Sequence, residues 1–117
     1  MEEIQRYEEE GIKIEKINLV RATMQEAQQI KENLIEDALD FKKIIVDLSS
    51  SEYVDSTFFG ALVYAHRQIK EKGANIVLIM SNSFMKRTFM FQDIAKIFRV
   101  YNSIREALDD NNEEEIQ

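Results

Sequence analysis

The sequence predicts a single α/β domain on a mixed, mostly parallel sheet of about four to five strands with about four helices. Two observations carry that prediction. Ile44-Ile45-Val46-Asp47-Leu48 and Ile76-Val77-Leu78-Ile79-Met80 are apolar at nearly consecutive positions, as in strands covered on both faces. Between them the apolar residues recur at helical spacing, and the order strand, helix, strand implies right-handed crossovers and a parallel core.

The elements follow in chain order. Ile4 to Leu19 is strand-like, with Glu10-Gly11 as the turn between two short strands, because glycine takes positive φ at little cost. Ile17 and Leu19 have the opposite parity to Ile12 and Ile14, which predicts a bulge or bend near Lys16. Thr23-Met24-Gln25-Glu26 is a capping box opening a helix, whose buried stripe is Ala27, Ile30, Leu34 and Ala38. After the strand ending at Leu48 comes a polar loop, Ser49 to Glu52, and then a second helix. Phe58, Leu62, Ala65 and Ile69 form that helix's stripe, Phe59 and Val63 widen it, and Gly73 stops it.

Ser81-Asn82-Ser83 repeats the polar loop, and Phe84 to Phe91 reads as a short helix. Ile97 to Tyr101 is expected as a half-covered last strand. Ser103-Ile104-Arg105-Glu106 forms a second capping box, opening a helix through Leu108. Residues 1–108 thus make the domain, and residues 109–117 an acidic, flexible tail with almost no apolar residue. Phe84, Met85, Phe89, Met90 and Phe91 exceed what one face of a short helix buries, so a docking or self-association surface, a homodimer included, is left open there.

Composition narrows the function. At 117 residues, with 44% hydrophobic and 32% charged, the chain has the make-up of one ordinary globular domain. No apolar run is long enough for a bilayer, and Met1 to Glu10 lack the basic and apolar regions of a secretory signal. With no cysteine to form disulfides, the cytoplasm is the expected location. A formal charge of −7 repels nucleic-acid phosphates and anionic membranes, and Lys86-Arg87 is more simply a solvated helix face than a binding patch.

Enzyme chemistry finds little footing. None of the three glycines sits in a phosphate-cradling loop. His66, the single histidine, lies mid-helix beside an apolar stripe, where a packing role outweighs a general base. With no cysteine and no second histidine, a metal site would need a carboxylate cluster, and none stands out. Asp47 and Asp55 could approach each other at the end of the sheet, but capping and loop hydrogen bonds account for both. No catalytic, cofactor or metal residue is assigned.

Ser56 differs, because it stands at the first turn of a helix directly after a central strand and its loop. Backbone amides are free there and the helix dipole favours negative charge, so a phosphate would meet donors. The plainer possibility is that Asp55 and Ser56 only cap the helix.

The stretch Ile44 to Ser49, followed by Tyr53-Val54-Asp55-Ser56-Thr57-Phe58-Phe59-Gly60, resembles the signature of STAS domains, the fold of bacterial anti-sigma factor antagonists. There a strand ending in Asp-Leu-Ser precedes an apolar residue, Asp, a phosphorylatable Ser and a second Ser or Thr; Val54, Asp55, Ser56 and Thr57 match in order. The likeness runs from the hairpin at Gly11 to the last helix. Phe58 and Asp93 stand where glycines are common, and Val20 and Arg21 where acidic or polar residues are frequent.

The resemblance implies a non-enzymatic partner switch. Unphosphorylated, it would bind an anti-sigma factor that is itself a serine kinase; phosphorylation of Ser56 would release it, and a phosphatase would reset it. Thr57 is the alternative acceptor, with Ser49, Ser50 and Ser51 as further hydroxyls, and Asp55, Ser56, Thr57 and Phe58 are the expected partner-facing residues. The rival expectation is an unphosphorylated STAS-type subunit of a larger regulatory or transport complex, suggested by bulky Phe58 beside the acceptor and by the aromatic surplus from Phe84 to Phe91.

Overall fold

The computed structural model describes residues 2–83, 85–87 and 96–110. β1 (Ile4–Glu9) and β2 (Ile12–Ile17) form an antiparallel hairpin, closed by Glu10 at φ 53° and Gly11 at φ 79°. Two successive positive φ values are those of a type I′ turn, whose twist suits a two-residue hairpin loop. β2 then pairs in parallel with β4 (Lys43–Asp47), β4 with β6 (Asn75–Ile79), and β6 with β7 (Arg99–Tyr101). The five-stranded order β1-β2-β4-β6-β7 is the predicted mixed, mostly parallel sheet.

The hairpin has no bulge. Its register is unbroken from Ile4↔Ile17 to Glu9↔Ile12, which corrects the bend expected near Lys16. The change of apolar parity has another cause: the sheet is covered on both faces. Ile17 joins Ile44, Val46, Ile76 and Leu78 on one side, while Ile14 joins Ile45, Val77 and Ile79 on the other. A strand buried on both sides needs no alternation.

The first face carries both long helices. α1 (Met24–Asp37) starts at the predicted capping box, with Thr23 Oγ1 accepting the Gln25 N–H at 3.3 Å and Glu26 Oε1 accepting the Thr23 N–H at 3.0 Å. It buries Ala27, Ile30 and Leu34. α2 (Ser56–Lys70) buries Phe58, Leu62, Ala65 and Ile69, each large apolar side chain contributing about 1.5–3 kcal/mol. Beyond its end, Gly73 at φ 82° lets the chain turn so that the Ala74 N–H reaches Ile69 O at 3.1 Å.

A short helix α3 (Ile104–Asp109) covers the second face with Ala107 and Leu108. Its cap is split. Ser103 Oγ accepts the Glu106 N–H at 3.2 Å, but Glu106 reaches the Asn102 N–H at 2.8 Å instead of that of Ser103. The fold also runs past Leu108, contrary to the expected tail boundary. Asp109 closes α3, Asp110 bonds Tyr101 Oη, and Lys43 Nζ donates to Ala107 O at 2.7 Å and Asp110 O at 2.8 Å. Residues 111–117 of the expected tail lie outside the described residues.

Two further expectations need adjusting. β7 holds only three residues, because Phe98 leaves the strand line and enters the core against Phe59 and His66. Of the aromatic and methionine surplus, Met85 is described and is buried in a helical turn whose N–H is accepted by Asn82 Oδ1 at 3.0 Å. Phe84, Phe89, Met90 and Phe91 lie outside the described residues, as does Asp93.

Candidate functional site

Beyond the carboxyl end of β4, two short strands that the sequence does not advertise form a separate parallel pair. β3 (Arg21–Ala22) runs beside β5 (Tyr53–Val54), with Arg21 opposite Tyr53 and Ala22 opposite Val54. The N–H groups of Glu52 and Tyr53 both donate to Val20 O, and the Asp55 N–H donates to Ala22 O at 2.9 Å. β3 leads into α1 and β5 into α2, so this pairing sets the N-termini of the two long helices side by side.

One carboxylate joins those termini. Asp55 is the N-cap of α2, where its Oδ1 accepts the Phe58 N–H at 2.8 Å, and its Oδ2 accepts the Met24 N–H of α1 at 2.9 Å. Both oxygens are thus committed to backbone donors at positive helix ends, an arrangement that stabilises an anion. Asp47, by contrast, holds its own loop. It accepts the Ser49 N–H at 2.9 Å and faces Lys16 Nζ at 3.6 Å, so the two aspartates serve separate structural bonds instead of forming an acid–base pair.

Ser56 is the first residue of α2 and is exposed, as is Thr57. The N–H groups of the first helical positions have no acceptor one turn back, so the entrance of α2 beside the two hydroxyls is rich in donors. Phe58, expected among the partner-facing residues, is fully buried in the core beneath them. The helical step of about 100° per residue turns position 58 inward when 56 and 57 face out. A bulky side chain therefore does not crowd Ser56.

Among the other hydroxyls, Ser51 is buried and donates to Leu19 O at 2.7 Å, whereas Ser49 and Ser50 are exposed. His66 takes the packing role: it is buried, its Nδ1 accepts the Ile76 N–H at 3.2 Å, and its ring lies 4.8 Å from that of Phe98. Burial, helped by the Lys70 charge, holds its pKa down to about 4, so it is neutral at physiological pH. Among the described residues no group of His, Asp or Glu side chains is arranged to hold a metal ion. Lys86 hydrogen-bonds Asn102, which engages one member of the Lys86-Arg87 pair within the fold.

The structure adds a surface that helical and strand periodicity do not reveal. Val20 is 57% exposed, Met24 68% and Tyr53 45%, and all three belong to the segments that the β3–β5 pair brings together next to Asp55. The Arg21 guanidinium lies 4.4 Å from the centre of the Tyr53 ring, within cation–π distance. The signal in the sequence is slight: Val20 and Tyr53 fall in or beside two-residue strands, and Met24 is the first residue of α1, off its buried stripe.

Comparison with known proteins agrees with this architecture. A model of the STAS domain matches residues 3–107, and the chain belongs to that family. A protein of Thermotoga maritima named as an anti-sigma factor antagonist is 27% identical over 70 residues, covering 60% of this chain and 62% of that one. The match therefore spans less than two thirds of that relative's length. The crystal structure of a Thermotoga maritima protein bearing the same description superposes with a TM-score of 0.79 at 21% identity, covering 91% of this chain and 92% of the other. The phosphorylated form of the Bacillus cell fate determinant SpoIIAA gives a TM-score of 0.68 at 15% identity over 91% and 96% of the two chains. At these identities the superpositions speak to fold alone.

Proposed function

We propose that this chain is an anti-sigma factor antagonist whose docking is switched by phosphorylation of Ser56. The observation that carries the reading is the exposed Ser56 hydroxyl on the first residue of α2, directly after the carboxylate that clamps the starts of both long helices. Unphosphorylated, the protein offers Val20, Met24 and Tyr53 around that helix end to an anti-sigma factor that is a serine kinase. The kinase supplies ATP and its metal ion, and transfers the γ-phosphoryl group to Ser56 Oγ. The chain acts as ligand and substrate, in the cytoplasm where sigma factors work, and a phosphatase resets it.

The energetics favour release. A phosphoserine carries about −1.5 to −2 charges at neutral pH. It would meet two open amides, but it would also sit next to Asp55, whose two oxygens are already committed. In the free protein, water solvates the dianion. Beneath a docked partner it would be desolvated beside a fixed carboxylate and apolar side chains, at a cost of several kcal/mol, or roughly a hundredfold or more in affinity. The net charge of −7 adds repulsion of the same sign. Thr57, equally exposed and one residue further on, is the alternative acceptor. The unphosphorylated-subunit reading loses one of its two supports, since Phe58 is buried and does not obstruct Ser56.

The test incubates the protein with ATP and each serine-kinase-type anti-sigma factor encoded in its own genome, followed by intact mass measurement and mapping of the modified residue. One added phosphate on Ser56, absent in Ser56→Ala, is expected, and Ser56→Glu should weaken kinase binding about a hundredfold or more. Unchanged phosphate uptake by Ser56→Ala would remove Ser56 as the acceptor.

A further inference from the structure

At the opposite end of α1 lies a cluster of charges that the switch does not use. Arg6 on β1 meets three carboxylates: its Nε is 3.0 Å from Glu15 Oε2 on β2, and its Nη2 is 2.9 Å from Asp37 Oδ1 and 2.7 Å from Glu36 Oε1, both in the last turn of α1. The side chains of Glu15 and Asp37 are 0% and 2% exposed, while that of Glu36 is 67% exposed. Asn33 donates to Glu15 Oε1 at 3.1 Å and itself accepts from Gln29 at 2.7 Å. One guanidinium thus serves two buried carboxylates and one solvated one.

The hydrogen-bond inventory of this cluster has a gap. Asp37 Oδ2 is buried and has no partner, although the Glu15 carboxyl lies within hydrogen-bonding reach of the Asp37 side chain. Two ionised carboxylates cannot bond each other, since neither has a donor. A single proton repairs the gap: it turns Glu15 into a donor toward Asp37 and reduces the buried charge to one anion against one cation. Asp37 stands at the negative, C-terminal end of α1, whose last turn carries no basic residue.

From this geometry we propose that Glu15 and Asp37 share one proton at neutral pH, and that the proton fastens the β1–β2 hairpin to the C-terminal turn of α1. Desolvation, then the hydrogen bond and charge of Asp37, push Glu15 upward well beyond the ordinary carboxylate range, and Arg6 only partly opposes this. The other charged groups on this face of the hairpin are Glu8 and Lys13, directly paired across the two strands. The side chains from β4 and from the α1 stripe that border the cluster, Val46, Ile30 and Leu34, are apolar. Glu2, Glu3 and Glu26, which line the cleft beside Arg6 and Asn33, are acidic and add no counter-charge.

The sign of the pH dependence follows. Glu15 holds its proton in the folded state and has lost it in the unfolded state, so its contribution to folding is complete at acid pH and disappears as pH rises through the folded value. His66 acts in the reverse sense between its ordinary 6.5 and about 4, so above pH 6.5 the Glu15 effect stands alone. Between pH 6.5 and roughly 8 the folding constant should fall by up to tenfold per pH unit.

The experiment follows the side-chain carboxyl carbon of Glu15 by NMR from acid to alkaline pH, with Glu15→Gln identifying its signal. A midpoint two or more pH units above those of the surface glutamates is expected, and a midpoint among them would overturn the proposal. Asp37→Asn should lower that midpoint by about one unit; an unmoved midpoint would show that the proton is not shared. Denaturant unfolding of Glu15→Gln should lose the slope above pH 6.5. If Glu15→Gln or Asp37→Asn fails to fold, the wild-type titration, assigned through its backbone connectivity, still decides.

Discussion

The two ends of α1 handle negative charge in opposite ways. At its start, Asp55 approaches from the α2 side and takes the Met24 N–H, so the carboxylate meets backbone donors and a favourable dipole and needs no counter-ion. At its end, Glu36 and Asp37 belong to the helix itself, face its unfavourable pole, and crowd buried Glu15; Arg6 and a proton are required to balance them. The comparison separates two kinds of stability. Geometry alone secures the end next to Ser56, whereas the far end depends on protonation.

The sharpest way to break this contrast is Arg6→Met, which leaves Glu15 and Asp37 without their cation. The expected loss is about 3 kcal/mol by denaturant unfolding, and it should grow as pH rises, because protonation relieves the uncompensated charge at low pH. Asp55→Ala removes a cap from α2 and an acceptor from α1, and should cost about 2 kcal/mol, without the growth that follows loss of the Glu15 proton. Equal pH dependence of the two variants would erase the distinction. Thr23→Ala, which loses only half of the box at the start of α1, should cost about 1 kcal/mol, read as a small fall in Tm.

The sheet was legible because its evidence is local. Ile44 to Leu48 and Ile76 to Met80 announce two-sided burial by composition alone, and the boxes at Thr23 and Ser103 are four-residue signals. What escaped notice depends on partners distant in sequence. The hairpin's parity change mimics a bulge until α3 is seen to cover the second face with Ala107 and Leu108. The β3–β5 pair is two residues long on each side and has no periodicity to detect.

At the candidate site, Asp55 and Ser56 could be placed from the helix start and the resemblance. The second bond of Asp55 could not, because Met24 lies thirty-one residues away. Phe58 was drawn toward the surface by its position in the motif, although its place on the Phe58, Leu62, Ala65 stripe already marked it as core. Glu15 follows the same logic: its burial depends on Arg6, Asn33 and Asp37 closing around it from distant parts of the chain.

β4 connects two opposite poles of the molecule. At its first residue the Lys43 amine grips the carbonyls of Ala107 and Asp110, and past its last residue the chain enters the loop that leads to Ser56. Five strand residues span about 16 Å. The described chain thus finishes at the pole away from the serine, so a dye on a cysteine introduced at exposed Arg105 of α3 would leave the α2 entrance open to an incoming protein.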